Sequence, residues 1–60
     1  DKVLVHKNNE VSLIDYKTGG EKNSHVKQMS NYEAVLVKMG YIKINKFLVY
    51  VSSGKIKQLS

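Results

Sequence analysis

The sequence predicts an α/β (α+β) domain: a mixed sheet of about four strands in the order β-β-α-β-β, with the helix on one face. Three observations predict it. Apolar runs of strand-forming residues recur at 3–5, 11–14 and 47–51. Turn residues bound each run: Asn8-Asn9, Gly19-Gly20 and Ser52-Ser53-Gly54. Between the second and third runs lies a longer segment with apolar residues at helical spacing, closed by Gly40.

Residues 1–6 read as a strand carrying Val3, Leu4 and Val5, and residues 7–10 as a turn in which Asn tolerates a left-handed backbone. Residues 11–17 return. Apolar residues at both parities predict a hairpin covered on both faces, as in the interior of a sheet. Residues 18–23 form a loop, and Asn23 or Ser24 caps a helix running to residue 39. Gly40 then supplies the left-handed C-terminal residue. A capping-box pattern at Ser30–Glu33 offers a later start, but the apolar stripe of Val26, Met29, Leu36 and Met39 favours the earlier one. Gln28 and Tyr32, four apart, share one flank of that stripe. Residues 44–51 form the most apolar strand and residues 55–59 a short, Lys-marked edge strand. The helix is long enough to connect strands two and three in parallel. The other sheet face has no cover within these 60 residues.

Sixty residues support one thin core, burying about 60% of the unfolded surface. No cysteine is available for a disulfide or a zinc site. His6 and His25 read as surface residues rather than ligands. All ten basic residues are Lys, against five acids, giving a net charge of +5. Such a surface attracts phosphate backbones without reading sequence. No apolar run approaches the ~20 residues of a membrane span, and no signal-peptide pattern opens the chain. The expectation is a cytoplasmic protein with no membrane partner, and a piece of something larger.

The chemistry concentrates at 11–20. There an apolar strand ends in Asp15-Tyr16-Lys17, followed by Thr18-Gly19-Gly20. Side chains two apart share a strand face, so Asp15 and Lys17 point the same way at the sheet's rim. Two-residue pairing in the hairpin puts Asp1 on the opposite face from Asp15. A site built from both carboxylates therefore predicts an odd-length loop, a bulge, or a swung-in Asp1. Paired carboxylates with the Tyr16 main-chain carbonyl make an oxygen-rich site suited to Mg²⁺ or Mn²⁺. Lys17 could orient an attacking water or stabilise charge on phosphoryl oxygens. Gly19-Gly20 would let a phosphate backbone approach the main chain closely. A salt bridge at a strand end, followed by an ordinary turn, accounts for the same residues without chemistry.

Asp1-(x)13-Asp15-x-Lys17, followed by His25-x-x-Gln28-x-x-x-Tyr32 and the strand Phe47-Leu48-Val49-Tyr50-Val51, resembles the PD-(D/E)XK nuclease superfamily. More narrowly, it resembles the nuclease domain fused to UvrD-like helicases, as in the RecB and AddA subunits of bacterial exonuclease complexes. The resemblance spans nearly the whole chain. It implies a partial restriction-endonuclease-like core with Asp1, Asp15 and Tyr16 holding Mg²⁺ or Mn²⁺, and Asp1, Asp15 and Lys17 as catalytic residues. Gln28, Tyr32, Thr18 and Gly19 would contact substrate or position Lys17. It also implies cleavage of DNA phosphodiesters during end processing and repair, with the rest of an ATP-dependent helicase–nuclease chain, and a partner subunit, as partners. The family's core places a helix and a strand, with a histidine in RecB-like members, ahead of the first carboxylate. On this reading residues 1–60 form a domain fragment, inactive alone and prone to pair as a homodimer. The alternatives are a non-catalytic basic module that binds nucleic acid or a protein partner, and a fragment whose only activity is self-association.

Overall fold

The computed structural model describes residues 2–59. Its elements are β1 (Lys2–Val5), β2 (Glu10–Lys17), α1 (Asn23–Lys38), β3 (Lys43–Tyr50) and β4 (Lys55–Gln58). They form one mixed sheet in the order β1-β2-β3-β4, in which β2 and β3 run parallel and the outer pairs antiparallel. The expected fold class and element order hold.

The β1–β2 hairpin closes through a three-residue loop, Lys7-Asn8-Asn9, because the His6 N–H donates to the Glu10 carbonyl at 2.8 Å. Asn8 and Asn9 both adopt positive φ, 62° and 60°, the left-handed region that Asn tolerates better than most residues. The odd loop sets the register Val5↔Val11, Val3↔Leu13 and Lys2↔Ile14. It is the odd-length loop, one of three routes (beside a bulge or a swung-in Asp1) to a two-carboxylate site, although Asp1 itself lies outside the described residues.

Alternation along β2 then sorts its side chains. Val11, Leu13, Asp15 and Lys17 face α1, and Ser12, Ile14 and Tyr16 face away. On β3 the α1-facing residues are Ile44, Lys46, Leu48 and Tyr50. Val11, Leu13, Met29, Leu36, Leu48 and Tyr50 make the core, with Tyr32, Tyr41, Ile44 and Leu59 packed against it. Lys46 joins this covered face by pairing with Glu33 of α1 at 2.9 Å, which ties helix to sheet.

Three expectations need correction. The helix stripe is His25, Met29, Tyr32 and Leu36, not Val26, Met29, Leu36 and Met39. Met29 is fully buried, whereas Val26 and Met39 are exposed. Steps of four, three and four keep the observed set on one side of the helix, while Val26 lies three residues before Met29 on the opposite flank. The N-cap is Lys22 and carries no side-chain cap, so Asn23 and Ser24 fall inside the first turn. The hairpin is not covered on both faces: β1 is exposed throughout as an edge strand. On the open face Ile14, Tyr16, Phe47, Val49 and Ile56 line an apolar hollow that α1 does not reach. At the other helix end, Gly40 (φ 102°) closes the chain as expected. The Gly40 N–H donates to the Val37 carbonyl and the Tyr41 N–H to that of Leu36, which also accepts from the Met39 N–H.

Candidate functional site

Strand alternation puts Asp15 and Lys17 on the helix-facing side at the C-terminal end of β2, next to Leu48 and Tyr50 of β3. Asp15 is 1% exposed. The Lys17 ammonium lies 3.0 Å from Asp15 Oδ2. Even so, Oδ2 is buried and accepts no directed hydrogen bond. The contact is one of charge, off the angle a hydrogen bond needs, so this oxygen keeps lone-pair capacity in a place where an unsatisfied acceptor is costly.

Lys17 spends its directed hydrogen bond elsewhere, donating to Gln28 Oε1 at 2.7 Å. The Gln28 amide in turn donates from Nε2 to the Tyr32 hydroxyl at 3.2 Å. Gln28 and Tyr32 are one helical turn apart, so α1 presents a rigid two-residue support to the lysine. A chain of four side chains, Asp15–Lys17–Gln28–Tyr32, thus runs from the sheet to the helix.

The remaining expected residues fall into three places. Tyr16 turns its ring to the open face, half exposed. Its main chain is directed to the β1 side, because the Val51 N–H donates to the Lys17 carbonyl (2.9 Å) and neighbouring residues on a strand alternate. Thr18 accepts at its carbonyl from the Ser52 hydroxyl at 2.6 Å, which fixes the start of the β2–α1 loop. Gly19 and Gly20 are exposed, and a Cβ on either would meet nothing within 4 Å. Packing does not demand glycine at these positions.

His25 departs from its expected surface role. It is half-buried on the core-facing stripe, its Nδ1 3.0 Å from the Tyr50 hydroxyl and its ring 5.8 Å from that of Tyr50. Tyr50 is the register partner of Lys17, so His25 borders the site. The one sequence signal was its spacing, three residues before Gln28 and four before Met29. His6 does lie on the surface, its Nε2 2.9 Å from the Ser12 hydroxyl.

A divalent cation is tested by the donor set. Asp15 Oδ2 is a hard, buried oxygen without a hydrogen-bond donor, and the Tyr16 carbonyl is directed out of the β2–β3 ladder. Both suit Mg²⁺ or Mn²⁺, which take one or two protein oxygens and fill the other positions with water and phosphate. Among the described residues no three His, Cys, Asp or Glu side chains group together, so Asp15 is the carboxylate they contribute. The described helix is not long and apolar enough to cross a membrane. Comparison with family models, with curated proteins and with solved structures gave no match.

Proposed function

We propose that this chain forms part of a metal-dependent deoxyribonuclease site that hydrolyses DNA phosphodiester bonds in a helicase–nuclease acting on DNA ends. The observation that carries this reading is Asp15: a carboxylate 1% exposed, with an unsatisfied oxygen, beside a lysine that a second element holds in place. A salt bridge serving stability alone has no need of the Gln28–Tyr32 support, and burial makes such pairs poor stabilisers.

In this reading Asp15 and the Tyr16 carbonyl would hold Mg²⁺ or Mn²⁺, with Asp1 as the further carboxylate. The ion supplies Lewis acidity toward a phosphoryl oxygen and a more acidic bound water. Lys17 neutralises Asp15 when no cation is bound. With a cation held at Asp15, Gln28 Oε1 would retain the Lys17 ammonium near the phosphate, where it would stabilise developing negative charge. Gln28 and Tyr32 are positioning residues; they limit where Lys17 can go. Thr18 and Gly19 form a low wall past which a strand can run.

The second reading is a non-catalytic module that binds nucleic acid. It is favoured by Lys22 and Lys27, which have no acid partner among the described residues. Calorimetric titration with Mn²⁺ separates the two. The nuclease reading expects saturable binding that Asp15→Asn abolishes. Binding that is absent, or unchanged in the variant, would remove it.

A further inference from the structure

The β2–α1 loop separates two hollows that differ in charge. On its glycine side, Thr18, Gly19, Gly20, Ser52, Ser53 and Lys55 line one hollow. Its lysine is neutralised: Lys55 donates to Glu21 at 2.7 Å, and Lys57 reaches the same carboxylate at 3.2 Å. On the helix side, the hollow is lined by Lys17, Lys22, Ser24, Lys27, Gln28 and Asn31, with His25 as its inner wall. Among the described residues, no acidic one lines it. Lys22 and Lys27 have no ion-pair partner among the described residues, and among these Lys17 shares its charge only with Asp15.

We infer that the helix-side hollow is where a nucleic-acid backbone is anchored, with Lys22 and Lys27 contacting phosphates on either side of the one presented to Lys17. This rests on the reading of Asp15–Lys17 as a phosphodiester-cleaving site. Unpaired ammonium groups gain from phosphate through release of condensed counterions, whereas Lys55 and Lys57 would first have to give up Glu21. Ser24 and Asn31 add neutral donors that suit phosphate oxygens. His25, 3.0 Å from the Tyr50 hydroxyl, is part of the hollow's lining. The backbone therefore crosses the first two turns of α1 and passes beside the glycine loop without being anchored there.

The test is fluorescence anisotropy of a labelled oligothymidylate with the full chain, over a series of salt concentrations and without divalent metal. Lys22→Gln with Lys27→Gln is expected to weaken binding roughly tenfold or more at low salt. It should also make the slope of log K against log[salt] shallower by about 1.4, two contacts at ~0.7 each for single strands. Lys55→Gln with Lys57→Gln removes the same charge and also releases Glu21, so it is biased against the inference. It is nevertheless expected to leave the slope within about 0.3 of the wild type's, well below one contact. Equal losses from the two pairs would overturn the inference. So would competition by polyglutamate as effective as that by unlabelled oligonucleotide, which would make the hollow a docking place for acidic protein. Metal is absent throughout, so failure here leaves Mn²⁺ binding at Asp15 standing, and failure there leaves this result standing.

Discussion

Two acid–lysine groups flank the same loop, and they differ in almost every physical respect. Before it, Asp15 and Lys17 form a pair whose carboxylate is buried and whose lysine is fixed by α1. At its far end, Glu21 is clamped by Lys55 and Lys57 on an exposed strand edge. The exposed clamp is fully hydrogen-bonded: the two lysines hold the Glu21 carboxyl below its ordinary value and Glu21 raises Lys55. The buried pair leaves an oxygen unsatisfied. Optimised contacts thus sit where they are worth little, and an incomplete one sits where incompleteness is costly. A fold selected only for stability would reverse that distribution, and the proposed metal site at Asp15 would account for the difference.

The comparison breaks first at Lys17. Replacing it with Met strands the buried Asp15 carboxylate and is expected to lower unfolding free energy by about 3 kcal/mol in a urea titration. Adding Asp15→Asn should recover a large part of that loss, because the stranded charge is gone. A Lys17→Met variant as stable as the wild type would put the pair in the same class as the Glu21 clamp.

A smaller effect is expected at the support. Tyr32→Phe removes the acceptor of the Gln28 amide and should cost about 1 kcal/mol. On the nuclease reading it lowers turnover of DNA more than affinity for it, since only the placing of Lys17 changes. Equal loss of affinity would make Tyr32 a substrate contact instead.

The smallest effect belongs to Glu21. Glu21→Gln should shift the urea midpoint only slightly at neutral pH, and not at all near 1 M salt, where the screening length is ~3 Å. The sign with pH follows from the depressed carboxyl. Its contribution is present above the unfolded value and is lost as pH falls through the lower folded one. The gap between wild type and variant should therefore close on acidification below about pH 4. A gap that widened there would contradict the clamp.

Much of this arrangement was legible in the residues. The period of two in β2 fixed Asp15 and Lys17 on one face, and the turn residues behind them fixed the rim. Gln28 and Tyr32 were readable as a helical pair because i,i+4 spacing needs no tertiary information. The hairpin register was legible only as a condition: pairing arithmetic showed that two carboxylates need an odd loop, a bulge or a swung-in Asp1, but the sequence around Asn8-Asn9 fits more than one turn. His25 was misread because its partner Tyr50 lies 25 residues away across the fold, and local pattern carries no trace of such a contact. The stripe went wrong at Met39 because the helix ends at Lys38 and leaves Met39 as its exposed C-cap, and at Val26 for a reason related to that for His25. Hydrophobicity named candidate core residues, but the helix's rotation about its axis was set by His25 and Tyr32, which hydropathy ranks as polar or intermediate. The charged hollow was hidden for the same cause, since which lysines Glu21 would claim depends on β4 returning beside the loop.

The most direct test of the central claim is residue-resolved. Mn²⁺ at low stoichiometry should broaden the amide NMR signals of Asp15, Tyr16 and Lys17, and Asp15→Asn should abolish that broadening. Signals near Glu10, Glu21 and Glu33 should stay sharp, because lysines or Asn45 already satisfy those carboxylates. Broadening centred on Glu21 or spread evenly over the acidic residues would contradict the account and leave Asp15–Lys17 as a buried ion pair with no metal chemistry.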